Sequence, residues 1–263
     1  QDQISVRDRI RWRRYELRKL MAKYFGAEQP AMAEFLQEHP ENPDDCFLSA
    51  STAASLPLGR LRVMLDSCRP PLETPVAAPG LRYFVWETPV HGRSYVAGHD
   101  PAHLGGDANC LQVLDAQTGV HVAELYGRME VGQFTYEACR VAELYNEALL
   151  GIENNGMGLA AVEAATHYGL HGYRNLYRPW REGAETAYGV NITHLKGIMH
   201  SNTWQNLFNG RLVTYCRELV TDMMRYNPDS DHMPDRFAAL LIADWLRTQP
   251  RAFAGLHQAP MIV

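Results

Sequence analysis

Two apolar runs, Cys110–Leu114 and Val120–Tyr126, are separated by Asp115-Ala116-Gln117-Thr118-Gly119. Short apolar runs joined by a turn segment with glycine at its end fold back on each other as a hairpin. That hairpin commits this part of the chain to an antiparallel sheet. Upstream, Arg82–Trp86 and Ser94–Gly98 read as further strands on short connections, which extends the hairpin into a meander. Downstream the period changes. Phe134, Ala138, Val141, Ala142 and Tyr145 share one face of a helix over about 131–147. Leu149-Leu150-Gly151-Ile152 reads as a short buried strand, Gly158–Tyr168 as a helix, and Tyr173–Tyr177 as another strand. A meander followed by β-α-β units predicts an α/β fold. Its mixed sheet would combine antiparallel and parallel strands and be flanked by helices. Helices over Thr193–Phe208 and Arg217–Tyr226 follow, and a last one carries the stripe Phe237, Ala238, Leu241, Ile242, Trp245.

The 263 residues have room for one large domain or one domain with an appendage. Residues 56–80 hold Pro57, Pro70, Pro71, Pro75 and Pro79, a linker composition. The expected division is a helical segment and linker at 1–80, the main domain at 81–250, and a tail at 251–263. Residues 4–25 read as a basic helix, with eight Arg and Lys in the first 23 residues against Asp2, Asp8 and Glu16. That is +5 locally and leaves −10 for the remainder of a chain whose net charge is −5. Two readings stand for this helix, a solvated charged face and a nucleic-acid contact. No apolar run approaches the roughly 18 residues of a membrane span, and the charged N-terminus lacks the apolar region of a secretory signal. The only lysines are Lys19, Lys23 and Lys196, none followed by Ser or Thr, so no phosphate-binding P-loop is present. The five cysteines are scattered and form no C-x-x-C pair, which fits reduced thiols.

Three acids fall at ends of elements. Asp100 ends a strand and runs into a Pro- and Gly-containing loop that delivers Asp107; Glu153 ends another strand; Asp235 opens the last helix after Pro234. If the strand ending at Asp100 and the one ending at Glu153 are neighbours, about 4.8 Å apart, the carboxylates can share a cation. The last helix would then add Asp235. A hard divalent cation, Mg²⁺ or Mn²⁺, suits an all-oxygen set. Each acid also has a plainer reading: Asp100 as a turn starter, Glu153 as an exposed strand end, Asp235 as a helix N-terminal charge.

The segments GHDPAHLGGD, GIENNGMG and HMPDRFAALLIA resemble the nuclease domain of the large terminase subunit of tailed bacteriophages, a family similar in fold to RNase H. The resemblance spans roughly 82–248. It implies a metal-dependent endonuclease that cuts concatemeric viral double-stranded DNA during packaging. Asp100, Glu153 and Asp235 would bind two Mg²⁺ or Mn²⁺ ions, and Asp107 falls where the family often has a further acid. Gly105-Gly106 would let the loop bring Asp107 back to the metals. Lys196 lies where the family often has a basic residue, for phosphate contact or leaving-group stabilisation. Family members often carry two adjacent acids before the last helix; here Pro234 replaces the first, and Asp231 and His232 lie near enough to compensate, His232 as a metal-proximal group. WRRYELRKL and FLQEHPENPDDCFLSAS resemble the end of the family's ATPase domain, so the chain resembles the C-terminal portion of a two-domain motor. Implied partners are double-stranded DNA, the terminase small subunit, the portal protein and the ATPase domain of the same chain; the implied location is the host cytoplasm, with no membrane. Arg128, Arg174, Arg178, Arg181 and Arg211 are the expected backbone contacts, and the 178–190 loop is a candidate gate. The rival readings are another RNase H-like nuclease, such as a resolvase or transposase, and a non-catalytic DNA or portal docking module.

Overall fold

The computed structural model describes residues 6–23, 31, 35, 39, 56–74, 76–102, 107–179, 186–228, 230, 232–250 and 252. The chain forms two compact units, one of residues 1–56 with 226–232, the other of 57–225 with 233–263. In the first unit, helix α1 (Val6–Lys23) sets Trp12 against Phe35 and His39, with ring centroids 6.0 and 4.8 Å away. The sequence also reads as a short helix over Met32–Gln37, which lies outside the described residues apart from helical Phe35.

The second unit begins at Pro57, well before residue 80. The stretch that reads as linker carries helix α2 (Leu58–Asp66) and strand β1 (Val76–Ala78). Its prolines do not free it from the domain, because its backbone is used: the Leu72 N–H donates to Val85 O at 2.6 Å, and the Trp86 indole N–H donates to Arg69 O at 3.1 Å. A Pro-rich segment without periodicity can still be an edge that pairs, and composition alone does not distinguish the two.

The sheet adds β2 (Leu81–Val85), β3 (Tyr95–Asp100), β4 (Asn109–Asp115), β5 (His121–Gly127) and β6 (Leu149–Ile152), in the order β1-β2-β5-β4-β3-β6. All neighbours are antiparallel except β3 and β6, which run parallel with Gly98 opposite Gly151 and His99 opposite Ile152. The strand after the crossover helix therefore lies beside β3, while β2 joins the sheet at β5. The run Tyr173–Tyr177 is no strand; it touches the sheet through a single parallel bridge from Leu176 to Leu150.

Alternation assigns the two faces. Leu81, Tyr95, Ala97, Leu111, Val113 and Leu125 pack with Phe134, Ala138 and Ala142 of helix α3 (Val131–Leu144) and with Tyr145 at its C-cap, joined by α4 (Gly158–Thr166). The other face meets helix α7 (Asp235–Leu246), against which α5 (Ile192–Phe208) and α6 (Arg217–Arg225) pack. Two glycines make that contact close. A Cβ on Gly98 would lie 2.1 Å from Ala239 O, and one on Gly151 would lie 2.9 Å from Leu246 Cδ1. The backbone of α7 thus lies directly on β3.

Candidate active site

Parity along β3 puts Val96, Gly98 and Asp100 on the face that α7 covers. Parity along β6 carries Gly151 and Glu153 to the same face. The Glu153 N–H donates to His99 O at 3.0 Å, which continues the β3–β6 ladder one step beyond the strand and holds Glu153 beside Asp100. Asp235 is the first residue of α7, and Ala108, just before β4, donates its N–H to Asp235 Oδ2 at 3.1 Å. One strand end, one post-strand residue and one helix start thus converge at the carboxyl ends of β3 and β6.

The electrostatics agree with the geometry. Burial first, then the charge and hydrogen bond of Glu153, then the charges of Asp235 and Asp107 push Asp100 well above the usual carboxylate range. Asp100 is half-buried as a residue, at the end of β3. Glu153 and Asp235 are half-buried and Asp107 is exposed. Among the described residues no three His, Cys, Asp or Glu side chains form a ready-made ion cage. The cluster is defined by mutual charge and a carboxyl–carboxyl hydrogen bond. Its donor set still fits a hard divalent cation: it is all oxygen, and every group acting on Asp100 is an acid that raises its pKa.

Two supports were not singled out from the sequence. Asn155 donates to Glu153 Oε1 at 3.3 Å and to Thr193 Oγ1 at 3.1 Å, while Asn191, the N-cap of α5, donates to Asn155 Oδ1 at 3.0 Å. Glu153 is thereby tied to the first turn of α5. The motif Glu153-Asn154-Asn155-Gly156 held the signal, a polar run at the end of a buried strand. At the other acid, Arg236 Nε lies 3.0 and 3.1 Å from the two Glu124 oxygens, and the guanidinium stacks over Tyr126 at 3.7 Å. Gln112 donates to Glu124 Oε2 at 2.8 Å. Arg236 directly follows Asp235, so this clamp pins the first turn of α7 to β4 and β5. Nothing local in the sequence pairs residues 124 and 236.

Lys196 is half-buried on α5, one turn beyond Thr193, and its charge together with burial lowers the pKa of His200. It is on the Thr193 face by helical spacing, and among the described residues no hydrogen bond or ion pair joins it to the acids. His232 is exposed, its N–H bonding Ser230 Oγ at 3.2 Å, in the segment that belongs to the first unit. Gly105, Gly106, Asp231 and Arg181 lie outside the described residues. Arg128, Arg174 and Arg211 are exposed, but Arg178 is turned into its own loop, bonding Thr186 O and lying 5.2 Å from the Tyr188 ring centroid.

A mixed sheet of this order, with an antiparallel meander, one parallel neighbour and helices on both faces, is an RNase H-like fold. Among solved structures it is similar to the large terminase nuclease of thermophilic phage G20c. The forms with bound magnesium and bound cobalt each give a TM-score of 0.54 at 16% identity, over 70% of this chain and 96% of that one. The form with bound zinc gives 0.52 at 17% identity over the same shares. At such identity the likeness establishes the fold. No protein-family model matches the sequence, and none of the curated proteins does.

Proposed function

We propose that the chain is a metal-dependent DNA endonuclease, the nuclease portion of a phage large terminase, cutting concatemeric double-stranded DNA during genome packaging. The observation that carries this reading is the convergence of Asp100, Glu153 and Asp235 at one end of an RNase H-like sheet, with Asp100 raised by burial and by the other acids. On this reading the nuclease domain is built on residues 81–250, to which 57–80 add α2 and β1, and the segment before residue 57 is the end of an ATPase domain. Asp100, Glu153 and Asp235 would hold two Mg²⁺ or Mn²⁺ ions, with Asp107 as an outer contributor. When bound, such ions supply an acidified water and charge stabilisation for phosphodiester hydrolysis.

The chain's own residues do the rest. Asp100 would be the central acid of the set, since the charges of both Glu153 and Asp235 act on it. Asn155 orients Glu153, and the Ala108 N–H orients Asp235. Lys196, on the same face of α5 as Thr193, would contact the phosphate or the departing oxygen. Arg128, Arg174 and Arg211 are exposed and suited to backbone phosphates, contacts that are indifferent to sequence and sensitive to salt. Cut-site choice would fall to partners: the small subunit, the portal and the ATPase domain, in the host cytoplasm. Among the described residues no helix is long and apolar enough to cross a membrane.

The test is plasmid cleavage in Mn²⁺, Mg²⁺ or EDTA, with wild type beside Asp100→Ala. The reading predicts nicking and linearisation with metal and none with EDTA or the variant. Undiminished cutting by folded Asp100→Ala would sink it. Cleavage restricted to branched DNA would move the assignment to a resolvase, and binding without any metal-dependent cutting to a docking module.

A further inference from the structure

Helix α1 carries arginine at positions 7, 11, 14 and 18. Steps of four, three and four residues each come close to a whole helical turn, so the four positions fall on one stripe. The backbone is helical across all of them, from Val6 to Lys23, and Arg11, Arg14 and Arg18 are exposed. Arg11 has one loose ion pair, 3.9 Å from Asp8, with side chains 68% and 60% exposed, an arrangement that holds little in water. Among the described residues Arg14 and Arg18 have no side-chain partner. The neighbouring cations are engaged instead. Lys19 pairs with Glu16 at 2.9 Å and lies over Tyr15, and Arg13 lies 5.6 Å from the centroid of buried Phe35.

We propose that this arginine stripe is a phosphate-binding surface for duplex DNA. It rests on the nuclease reading above, since a nuclease whose reactive end is a cluster of acids needs its substrate held by charge from elsewhere. The stripe presents one positive charge about every 5 Å of helix axis. Duplex DNA presents a negative charge about every 1.7 Å, so any register along the stripe finds phosphates. Arginine's planar fork of donors suits phosphate oxygens. The charge distribution favours this occupant: the first 23 residues stand at +5 in a chain that is otherwise −10. The competitor within the chain is the run of Glu28, Glu34, Glu38, Glu41, Asp44 and Asp45, a stretch with no Arg or Lys between residues 24 and 56.

The experiment measures binding of the full chain to a labelled random-sequence duplex in EDTA, which prevents cutting, across a NaCl series. The triple variant Arg11→Gln, Arg14→Gln, Arg18→Gln is expected to bind at least tenfold more weakly near 0.1 M salt. Its log–log salt slope should shrink by roughly two to three, one counterion step per lost phosphate contact. The single Arg14→Gln, which spares folding, should shrink the slope by about one, and the triple Lys variant should keep most of the affinity. An unchanged slope and affinity would overturn the proposal. A lower melting temperature with unchanged DNA binding would also overturn it, assigning the arginines to the acids of 24–56. The nuclease reading fails separately: wild type that never cuts with Mn²⁺ while the slopes change as expected would remove that reading and leave the stripe.

Discussion

The two ends of α7 place buried carboxylates in opposite circumstances. Near its C-terminal end, Asp244 is fully buried and receives Thr203 Oγ1 at 2.8 Å, Asn202 at 3.2 Å, Asn206 at 3.0 Å and Arg247 at 2.8 Å. Every acceptor position is filled, and α5 is fastened to α7 by one side chain. At the N-terminal end, Asp235 and Asp100 face other acids, and Asp100 shares a hydrogen bond with a carboxylate, Glu153. A few ångströms away the compensated pair Glu124–Arg236 shows that the same region can satisfy a buried charge. A helix secured by compensated charges at Asp244 and Arg236 thus starts beside Asp100, on which Glu153, Asp235 and Asp107 all act as like charges, and the proposed metal-binding role rests on that contrast.

Breaking the satisfied end should cost the most. Asp244→Ala takes the acceptor from buried Thr203 and from half-buried Asn202, Asn206 and Arg247, and should lose about 3–5 kcal/mol in denaturant unfolding. Its cutting per folded molecule should stay near wild type. Gly98→Ala acts between the ends. The added Cβ meets Ala239 O at 2.1 Å and Ala243 N at 2.5 Å, both backbone, so α7 must lift. The expected loss is about 2–3 kcal/mol, with a larger fall in cutting than in stability because Asp235 moves with the helix; unchanged cutting would show that close docking of α7 does not set the site.

A pH series sharpens the comparison through His121, a buried group beside the Arg236 clamp. Burial lowers its pKa from 6.5 to about 3, with a hydrogen bond to Ala123 O opposing and the Arg236 charge adding to the fall. Below pH 6.5 the unfolded imidazole takes a proton that the folded one refuses, so stability drops as pH falls from 6.5 towards 3. The contribution is about 1.4 kcal/mol per pH unit in that window. His121→Gln should flatten the melting-temperature profile there; an equally steep profile would place the acid sensitivity elsewhere. Asn155→Ala is the mildest change, about 1 kcal/mol in stability. It should nonetheless raise the Mn²⁺ concentration needed for half-maximal cutting, since Glu153 loses its tie to α5.

Much of this was legible in the sequence, for a definite reason. The hairpin at Asp115–Gly119 and the stripe from Phe237 to Trp245 are local periodic signals, and the structure carries both as β4–β5 and α7. Asp100 and Glu153 could be placed together because each ends an apolar run, and parallel pairing of β3 with β6 follows from a meander joined to a β-α-β crossover. The clamp of Arg236 on Glu124, 112 residues apart, has no local signature. Nor does the four-donor seat of Asp244, which reads only as a polar residue interrupting a helical stripe. Gly98 and Gly151 look like ordinary weak points in strands until a helix backbone is laid across them. The run Tyr173–Tyr177 shows the reverse error: aromatic, β-prone residues that pack into the core without forming a ladder, since β-propensity reflects burial as much as pairing.

The central claim is that Asp100 is held in a conflict that a divalent ion resolves. Calorimetric melting of wild type and Asp100→Asn, each in EDTA and in millimolar Mn²⁺, tests it most directly. Asp100→Asn should melt at or above wild type in EDTA, because one charge of the crowded cluster is gone. Wild type should rise in Mn²⁺ and the variant should not. A variant that melts well below wild type in EDTA and still gains the full Mn²⁺ shift would contradict the account, making Asp100 a structural acid and placing the ion elsewhere.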